Sequence, residues 1–206
     1  MQKEKIKSIL ETNEFISKEK GSEFIAKVYT IENEQSALNE LQNIRKSYFD
    51  ATHHCFAYRI NDHLFKYSDD GEPKGTAGIR ILNAIDHFEV VNILIVVIRY
   101  FGGTKLGVGP LGKAYYEASI NVLNKSKIVE LNLFQMMEVI IDFPNINNFH
   151  HVINQYSTTV AKSDFSEKAK FNFYIKPSSI DKITADLTNI TNGQIVINID
   201  NEYKYL

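Results

Sequence analysis

Residues 67–113 constrain the fold most, because in this stretch two glycine-rich, charged segments flank a plain apolar core. Residues 90–100 form a nearly continuous Val/Ile run, which is typical of a β-strand covered on both faces. The run therefore predicts a central strand. Half of the ten glycines follow it, and loops of this composition often position functional groups. These glycines are Gly102, Gly103, Gly107, Gly109 and Gly112.

The composition is that of an ordinary soluble protein of 206 residues, with 44% hydrophobic and 23% charged residues. This length suits one large domain or two small ones, and we expect two. The formal net charge of -2 gives the molecule no overall attraction to nucleic acid, so an RNA contact would need a local basic patch. The single cysteine excludes an internal disulfide and a multi-cysteine zinc site.

Nothing in the sequence predicts export or membrane insertion. The first fifteen residues lack the apolar core of a signal peptide, and the longest apolar run is too short to span a bilayer. The cysteine content favours a reducing compartment. We therefore expect a cytoplasmic protein with no membrane partner.

The sequence predicts an N-terminal domain at residues 1–128, built from β-α-β units. Its first elements are strands at residues 24–31 and 53–60 and a helix at residues 34–48. On the second strand Phe56 and Tyr58 alternate with His53 and Cys55, and we expect the Phe56 side to face the core.

Two further helices are predicted around residues 67–113. Thr76 predicts the cap of the first, and Pro110 suits the first turn of the second, because its missing N–H would have no partner there. The second helix ends near residue 124. Its buried stripe is predicted to consist of Leu111, Ala114, Tyr115, Ala118 and Val122.

Residues 129–206 predict a second domain with the order βαββαβ, the ferredoxin-like arrangement of two split β-α-β units. The predicted elements are strands at residues 133–143, 158–165, 169–176 and 194–199 and helices at residues 146–156 and 178–190. The two domains together predict an α+β fold.

Two familiar motifs match only formally. Residues 107–112 read GxGxxG, but six residues separate the first glycine from the preceding strand, which disfavours a dinucleotide site. Residues 107–113 also read GxxxxGK, but Ala114 replaces the magnesium-binding hydroxyl of a P-loop. Pro110 removes one phosphate-binding amide as well.

A more general anion site is compatible with the same residues. Arg99, Lys105 and Lys113 flank several amides near a predicted helix N-terminus, where a phosphate could be held. The hydroxyls of Tyr100 and Thr104 could add contacts. Alternatively, the glycines only permit a tight turn and the basic side chains are solvated.

The acidic turn has two interpretations as well. Asp69, Asp70 and Glu72 cluster as a general base or metal site would, but Asp-Gly is also ordinary turn chemistry. His53 and Cys55 share a strand face, as a Cys–His nucleophile would require, although a buried thiol and a hydrogen-bonded histidine fit better.

Four segments of the sequence resemble the YigZ/IMPACT family. They read DATHHCFAYR at residues 50–59, SDDGEP at 68–73, GTAG at 75–78 and RYFGGTKLG at 99–107. The resemblance implies that the first domain has the fold of the second domain of a small-subunit ribosomal protein, also found in elongation factor G. It implies that the second domain resembles another elongation factor G module. It further implies RNA, ribosome or nucleotide binding, with no established catalytic residue.

Two departures from the family pattern lie near these segments. His54 stands where relatives commonly carry Asn, and residues 110–113 stand where they commonly carry a Gly-Leu-Val-Arg-like run. The second departure retains a basic residue, Lys113.

We therefore expect a non-catalytic, translation-related protein without cofactor or metal, which binds RNA or a ribosomal site between residues 68–76 and 99–109. An enzyme acting on a nucleotide or phosphorylated small molecule, with phosphate held by the glycines, is one alternative. A protein-interaction module is another. The predicted binding residues are Arg99, Tyr100, Gly102, Gly103, Thr104, Lys105, Gly107, Gly109, Asp69, Asp70, Glu72, Lys74, Gly75 and Thr76. The second domain could add Phe171, Phe173 or Tyr174 as base-stacking platforms, although strand aromatics are more often core residues or cross-strand partners.

Overall fold

The computed structural model describes residues 3–156 and 158–206. Two compact units are present, and together they contain two five-stranded sheets. One unit is Lys7–Glu130, and the other is Leu131–Leu206 with the N-terminal residues up to Ile6. The sequence placed those N-terminal residues in the first domain. They group with the second unit because Glu4 accepts a backbone hydrogen bond from Leu133, at 2.8 Å.

The first half of the chain folds into six strands and three helices within the described residues. These are β1 (Lys5–Ile9), β2 (Asn13–Glu19), β3 (Ser22–Thr30), α1 (Glu34–Ser47), β4 (His53–Arg59), β5 (Phe65–Ser68), α2 (Gly78–Phe88), β6 (Ile93–Tyr100) and α3 (Val108–Lys125). The sheet of this unit has the order β2-β3-β6-β4-β5, and each neighbouring pair is antiparallel. The sequence predicted neither β1 nor β2.

Strand β6 lies at the centre of this sheet, as its Val/Ile run predicted. Ile95 and Val97 pack in the cluster formed with α2 and α3, whereas Leu94 and Val96 pack in the cluster formed with α1. A strand with helices on both faces must be apolar on both, because side chains alternate across a sheet. The prediction of a doubly covered central strand is confirmed.

Strand β4 is also covered on both faces, so the core includes the Cys55 side as well as the predicted Phe56 side. Phe56 and Tyr58 pack on the α1 side, and Cys55 and Ala57 are fully buried on the side of α2 and α3. The histidine at the start of this strand, His53, is only half-buried and faces the end of the sheet where the loops meet.

The second half of the chain has the element order β-α-β-β-α-β. Its elements are β7 (Ile128–Ile141), α4 (Ile146–Ile153), β8 (Thr158–Phe165), β9 (Ala169–Ile175), α5 (Ile180–Ile190) and β10 (Ile195–Tyr205). Antiparallel pairing joins β7 to both β9 and β10 and joins β9 to β8, and β1 also pairs with β7.

The two phenylalanines of β9 lie in the core of the second unit, so they are not exposed stacking platforms. Phe171 and Phe173 are 2% and 0% exposed, and the Phe171 ring stacks on Phe149 with centroids 4.2 Å apart. Alternation along the strand turns both side chains towards α4 and α5. Tyr174 is half-buried and donates a hydrogen bond to Glu202. None of the described helices combines the length and apolar character needed to cross a membrane.

Candidate functional site

Three loops meet at one end of the sheet in the Lys7–Glu130 unit. They are the hairpin turn (residues 20–21) between β2 and β3, the acidic loop (residues 69–77) after β5, and the glycine loop (residues 101–107) after β6. The register pairs Glu23 with Tyr100 and His53 with Arg99, so β3 and β4 start beside the end of β6.

A buried ion pair joins the acidic loop to the end of β6. Arg99 donates from Nη1 to Glu72 Oε1 at 2.6 Å, and the two side chains are only 6% and 4% exposed. Arg99 Nη2 also donates to Ser22 Oγ at 3.2 Å. The sequence placed Arg99 among the cations of an anion site, but its guanidinium lies inside the protein and holds Glu72. Its Nε is buried without a hydrogen-bond partner in the described structure.

Tyr115 on α3 extends this buried network. Its hydroxyl donates to Glu72 Oε1 at 2.8 Å, and the Cys55 thiol lies 3.4 Å from the same hydroxyl. Burial, followed by the neighbouring Cys55 and Glu72, raises the pKa of Tyr115 far above its ordinary value. A neutral phenol is therefore kept at every physiological pH, which suits a structural hydrogen-bond donor.

The geometry does not support a Cys–His nucleophile. Cys55 Sγ donates to the carbonyl oxygen of Asp69 at 3.0 Å, and burial raises the pKa of this thiol well above its ordinary value. The thiolate is the reactive form, so a thiol protonated at neutral pH is a poor nucleophile. His53 makes contacts of its own, with Nδ1 2.8 Å from the Asp70 carbonyl and Nε2 3.8 Å from Glu72 Oε2.

The carboxylate of Asp69 holds the acidic loop together. It accepts backbone N–H groups from Gly75 at 2.9 Å, Ala77 at 3.0 Å and Gly78 at 2.8 Å. A carboxylate at a helix N-terminus satisfies donors that lack intrahelical partners and interacts favourably with the helix dipole. Asp69 is therefore the cap of α2. The prediction that Thr76 caps this helix is wrong, because its buried hydroxyl donates to the Pro73 carbonyl.

Asp70 is also fully engaged. One carboxylate oxygen accepts from Arg45 at 2.8 Å and the other from the backbone N–H of His54 at 2.7 Å. The acids of this turn thus bond to protein groups and fold the loop. Within residues 3–156 and 158–206, no group of three or more His, Cys, Asp or Glu side chains is arranged to hold a metal ion.

The glycine loop rests directly on the hairpin turn. A Cβ atom on Gly102 would lie 1.9 Å from the carbonyl carbon of Gly21, so only glycine permits this backbone approach. Gly102 N–H donates to Ser22 Oγ at 3.1 Å, which fixes the contact. Gly103 has a φ of +83°, a conformation that side chains disfavour, but a Cβ there would meet nothing within 4 Å.

The dinucleotide interpretation fails on this geometry. Gly107 is the N-cap of α3, and Gly109 and Gly112 lie inside the helix rather than in a phosphate-binding turn. The adjoining sheet is antiparallel, whereas the dinucleotide fold is built on parallel strands.

Each of the three loops presents one exposed lysine. Lys20 lies in the hairpin turn, Lys74 in the acidic loop and Lys105 in the glycine loop, and we call these residues the lysine rim. No ion pair involves any of the three within the described part of the chain. Sequence reasoning found the second and third lysines but missed the first, although Lys-Gly after β2 is a turn signal.

Two exposed aromatic rings lie beside the glycine loop. Phe101 is 47% exposed and Phe49 is 83% exposed. The chain segment that carries Phe49 lies alongside the end of β6, because Phe101 N–H donates to Thr52 Oγ1 at 3.0 Å and the Tyr100 hydroxyl donates to Asp50 at 2.9 Å. Sequence reasoning missed both rings, since nothing local distinguishes them from core residues.

The structure therefore divides the predicted binding residues into two groups. The internal group forms loop contacts and comprises Arg99, Asp69, Asp70, Glu72, Gly75 and Thr76. Tyr100 bonds to Asp50, and Gly102 packs on the hairpin turn. The exposed group comprises Gly103, Thr104, Lys105, Gly107, Gly109 and Lys74. Any ligand of this end of the sheet would meet the exposed group.

Comparison with known proteins identifies the family. A family model described as the Impact N-terminal domain matches residues 20–123, half of the chain, and a domain of unknown function, DUF1949, matches residues 139–194. The chain belongs to the IMPACT family. IMPACT family member YvyE of Bacillus subtilis is 34% identical over 187 residues, which cover 90% of this chain and 86% of that protein.

Other IMPACT family proteins are similar over most of the chain. A member from Thermus thermophilus is 31% identical, covering 76% of this chain and 85% of its own. YigZ of Escherichia coli is 25% identical, covering 85% and 88%. A crystal structure described as that of a hypothetical protein matches with a TM-score of 0.72 at 24% identity, covering 98% of this chain and all of that one. This likeness supports a two-domain α+β fold.

Proposed function

We propose that this IMPACT family protein binds RNA, free or within the ribosome, and that it does so without catalysis in a translation-related role. The observation that carries the proposal is the lysine rim. Lys20, Lys74 and Lys105 come from three separate loops, are exposed, and have no acidic partner in the described residues. A rigid set of unpaired cations is what a phosphate backbone requires.

The buried network explains why the rim is rigid. The Arg99–Glu72 pair fixes the acidic loop to β6, and the contact of Gly102 with Gly21 fixes the glycine loop to the hairpin turn. A preorganised surface loses little conformational entropy on binding, so even a small number of phosphate contacts can be effective.

The exposed aromatic rings favour unpaired nucleotides over a duplex. Bases that are not paired can stack on Phe side chains, and such stacking tolerates many sequences. Phe101 is the first residue of the glycine loop, which also carries Lys105, and Phe49 belongs to the segment that Phe101 N–H contacts through Thr52. A single RNA strand could thus place its phosphates at the lysines and its bases on the phenylalanine rings.

The enzyme alternative gains no support from the acidic loop. Asp69, Asp70 and Glu72 were its candidate acid, base or metal ligands, and all three carboxylates bond to groups of the protein. Glu72 is buried beneath the loop. A substrate would have to displace these bonds before the acids could act on it.

We also infer which known fold each of the two units resembles. For the second unit, the strand order β10-β7-β9-β8 supports a ferredoxin-like fold, with the boundary of the two domains near residue 128. For the first unit, the four-segment resemblance supports the fold of the second domain of a small-subunit ribosomal protein. The relationship of the first unit is to a component of the ribosome, in keeping with the proposed role.

Fluorescence anisotropy with a labelled, mixed-sequence single-stranded RNA tests the proposal at low and moderate salt. Removing one phosphate contact should weaken binding at all sequences and reduce the slope of log K against log salt by about one. We expect this for Lys105→Ala and a larger loss for the Lys20→Ala/Lys74→Ala/Lys105→Ala variant. Lys127→Ala, an exposed lysine just beyond the opposite end of α3, is the control.

Ribosome co-sedimentation of the same variants extends the test to structured RNA. If the wild-type protein binds neither the oligonucleotide nor ribosomes at low salt, the proposal is wrong. It is equally wrong if the triple variant binds as tightly as the Lys127→Ala control.

A further inference from the structure

A cleft of about 710 Å³ lies between helices α2 and α3 of the first unit. It begins beside the acidic loop, because Arg80 on α2 donates from Nε to the carbonyl oxygen of Gly75 at 3.3 Å. None of the lysine rim residues lines it. Its lining residues are Arg80, Asn83, Asp86, His87, Gly109, Gly112, Lys113 and Tyr116.

The lining consists of hydrogen-bonding side chains and glycine, without an aliphatic residue. Arg80 and Lys113 face the cleft from opposite helices, and both are basic side chains. The acid of the lining, Asp86, is held by Arg59, whose Nη2 lies 2.6 Å from Asp86 Oδ1. The charge left for a ligand is therefore positive.

Lys113 can turn to a ligand at little cost. It lies 3.5 Å from Glu117 on the same helix, and the two side chains are 72% and 55% exposed. Exposed pairs of this kind contribute little to stability, so a phosphate can readily replace the carboxylate.

Two glycines of α3 shape the cleft. A Cβ on Gly112 would lie 3.3 Å from Arg80 Nε, so the absence of a side chain allows the arginine to lie close to the helix. Gly109 is in the first turn, before the hydrogen bond of Leu111 N–H to the Gly107 carbonyl. Its N–H has no intrahelical acceptor and is available to a ligand oxygen.

We propose that the α2–α3 cleft binds a phosphate group, with Arg80 and Lys113 as its charged contacts. The group can be a phosphomonoester on a small molecule or a phosphodiester of an RNA strand. This site is separate from the lysine rim, so it can exist whether or not the rim binds RNA. Phosphate fits because a fork-shaped guanidinium and an ammonium on opposite walls can each bond a different oxygen.

Amide chemical shifts of the full chain can locate the binding directly. Three probes are added separately: inorganic phosphate, adenosine monophosphate and the single-stranded RNA. We expect the amide signals of Asn83, Gly109 and Gly112 to shift in a saturable manner. Each of Arg80→Ala and Lys113→Ala should weaken this binding about tenfold, the loss expected for one charge-assisted hydrogen bond. Lys127→Ala should leave it unchanged.

The probes distinguish the two sources of the phosphate. Shifts in the cleft with inorganic phosphate or the mononucleotide identify a phosphomonoester site, and shifts with RNA alone identify a phosphodiester site. No shift in the cleft with any probe at tens of millimolar phosphate overturns the proposal, as do shifts unaffected by both cleft variants. Signals of Gly103 and Lys105 report the lysine rim separately, so failure of one site is not failure of the other. Lys113 is exposed, so its variant should fold normally.

Discussion

Replacement of Glu72 tests whether the buried ion pair holds the loops together. Glu72→Gln keeps the size of the side chain and an oxygen that can accept from Arg99 and Tyr115. It removes the negative charge opposite a guanidinium that is 6% exposed. Glu72→Ala removes the acceptor as well, so both donors lose their partner.

The magnitude follows from the burial of both partners. Removing one member of a buried pair costs about 3–5 kcal/mol, because the remaining charge is left uncompensated. We expect about 3 kcal/mol for Glu72→Gln and about 5 kcal/mol for Glu72→Ala, since the alanine variant also leaves the buried Tyr115 hydroxyl unsatisfied. Glu117→Gln is the matched control, because its exposed pair with Lys113 contributes about 0.5 kcal/mol or less.

Native-state hydrogen exchange is the suitable assay, because the chain has two units and a single unfolding transition cannot be assumed. The slowest amides of β6 report the free energy of unfolding of the first unit alone. If both Glu72 variants lose less than about 1 kcal/mol of unfolding free energy, the Arg99–Glu72 pair is hydrated and contributes only as much as a surface ion pair. That result would refute the rigid arrangement on which the lysine rim depends.

Two further predictions concern backbone contact and pH. Gly103→Ala should lower the free energy of unfolding of the first unit by about 1 kcal/mol, because of its positive φ alone. Gly102→Ala should lower it several-fold more, because only this substitution places a Cβ against the Gly21 backbone. Equal losses of unfolding free energy, measured by hydrogen exchange, would contradict this. Burial and then the hydrogen bond to Glu34 raise the pKa of Tyr58 from 10.0 to about 12 in the folded protein. The stability it contributes is present below pH 10.0 and is lost as the pH rises through about 12, so Tyr58→Phe should flatten the decline of unfolding free energy in that window. Parallel pH profiles of the two proteins would count against the assignment.

The parts of the fold that could be predicted from sequence are those whose pattern is long and apolar. The run ending at Tyr100 gave the central strand β6, and the stripe from Leu111 to Val122 gave α3, because each pattern matches one element period over many residues. Strand β2 was missed because it lies at a sheet edge. Its residues are half-buried or exposed, and its charged side chains hide the period of two.

The site was harder to predict because its chemistry depends on contacts between distant residues. Arg99 beside a glycine loop looks like an anion ligand, and only the fold shows Glu72 within 2.6 Å of it. Asp69 likewise gives no local signal that its carboxylate reaches the amides of α2. The burial of Phe171 and Phe173 was predictable, since both share one face of β9 with Ala169 and Ile175.

The contact of Gly102 with Gly21 couples the position of the glycine loop to that of the hairpin turn, which is distant in sequence. The hairpin turn determines where the glycine loop can lie, because the two backbones are in contact without an intervening side chain. A longer turn, or any residue with a side chain at Gly21 or Gly102, would push the glycine loop away from the hairpin turn and move Lys105 relative to Lys20. The length of the β2–β3 connection is thus a constraint on the spacing of the lysines, and grafting the RYFGGTKLG segment alone onto another protein would not transfer its geometry.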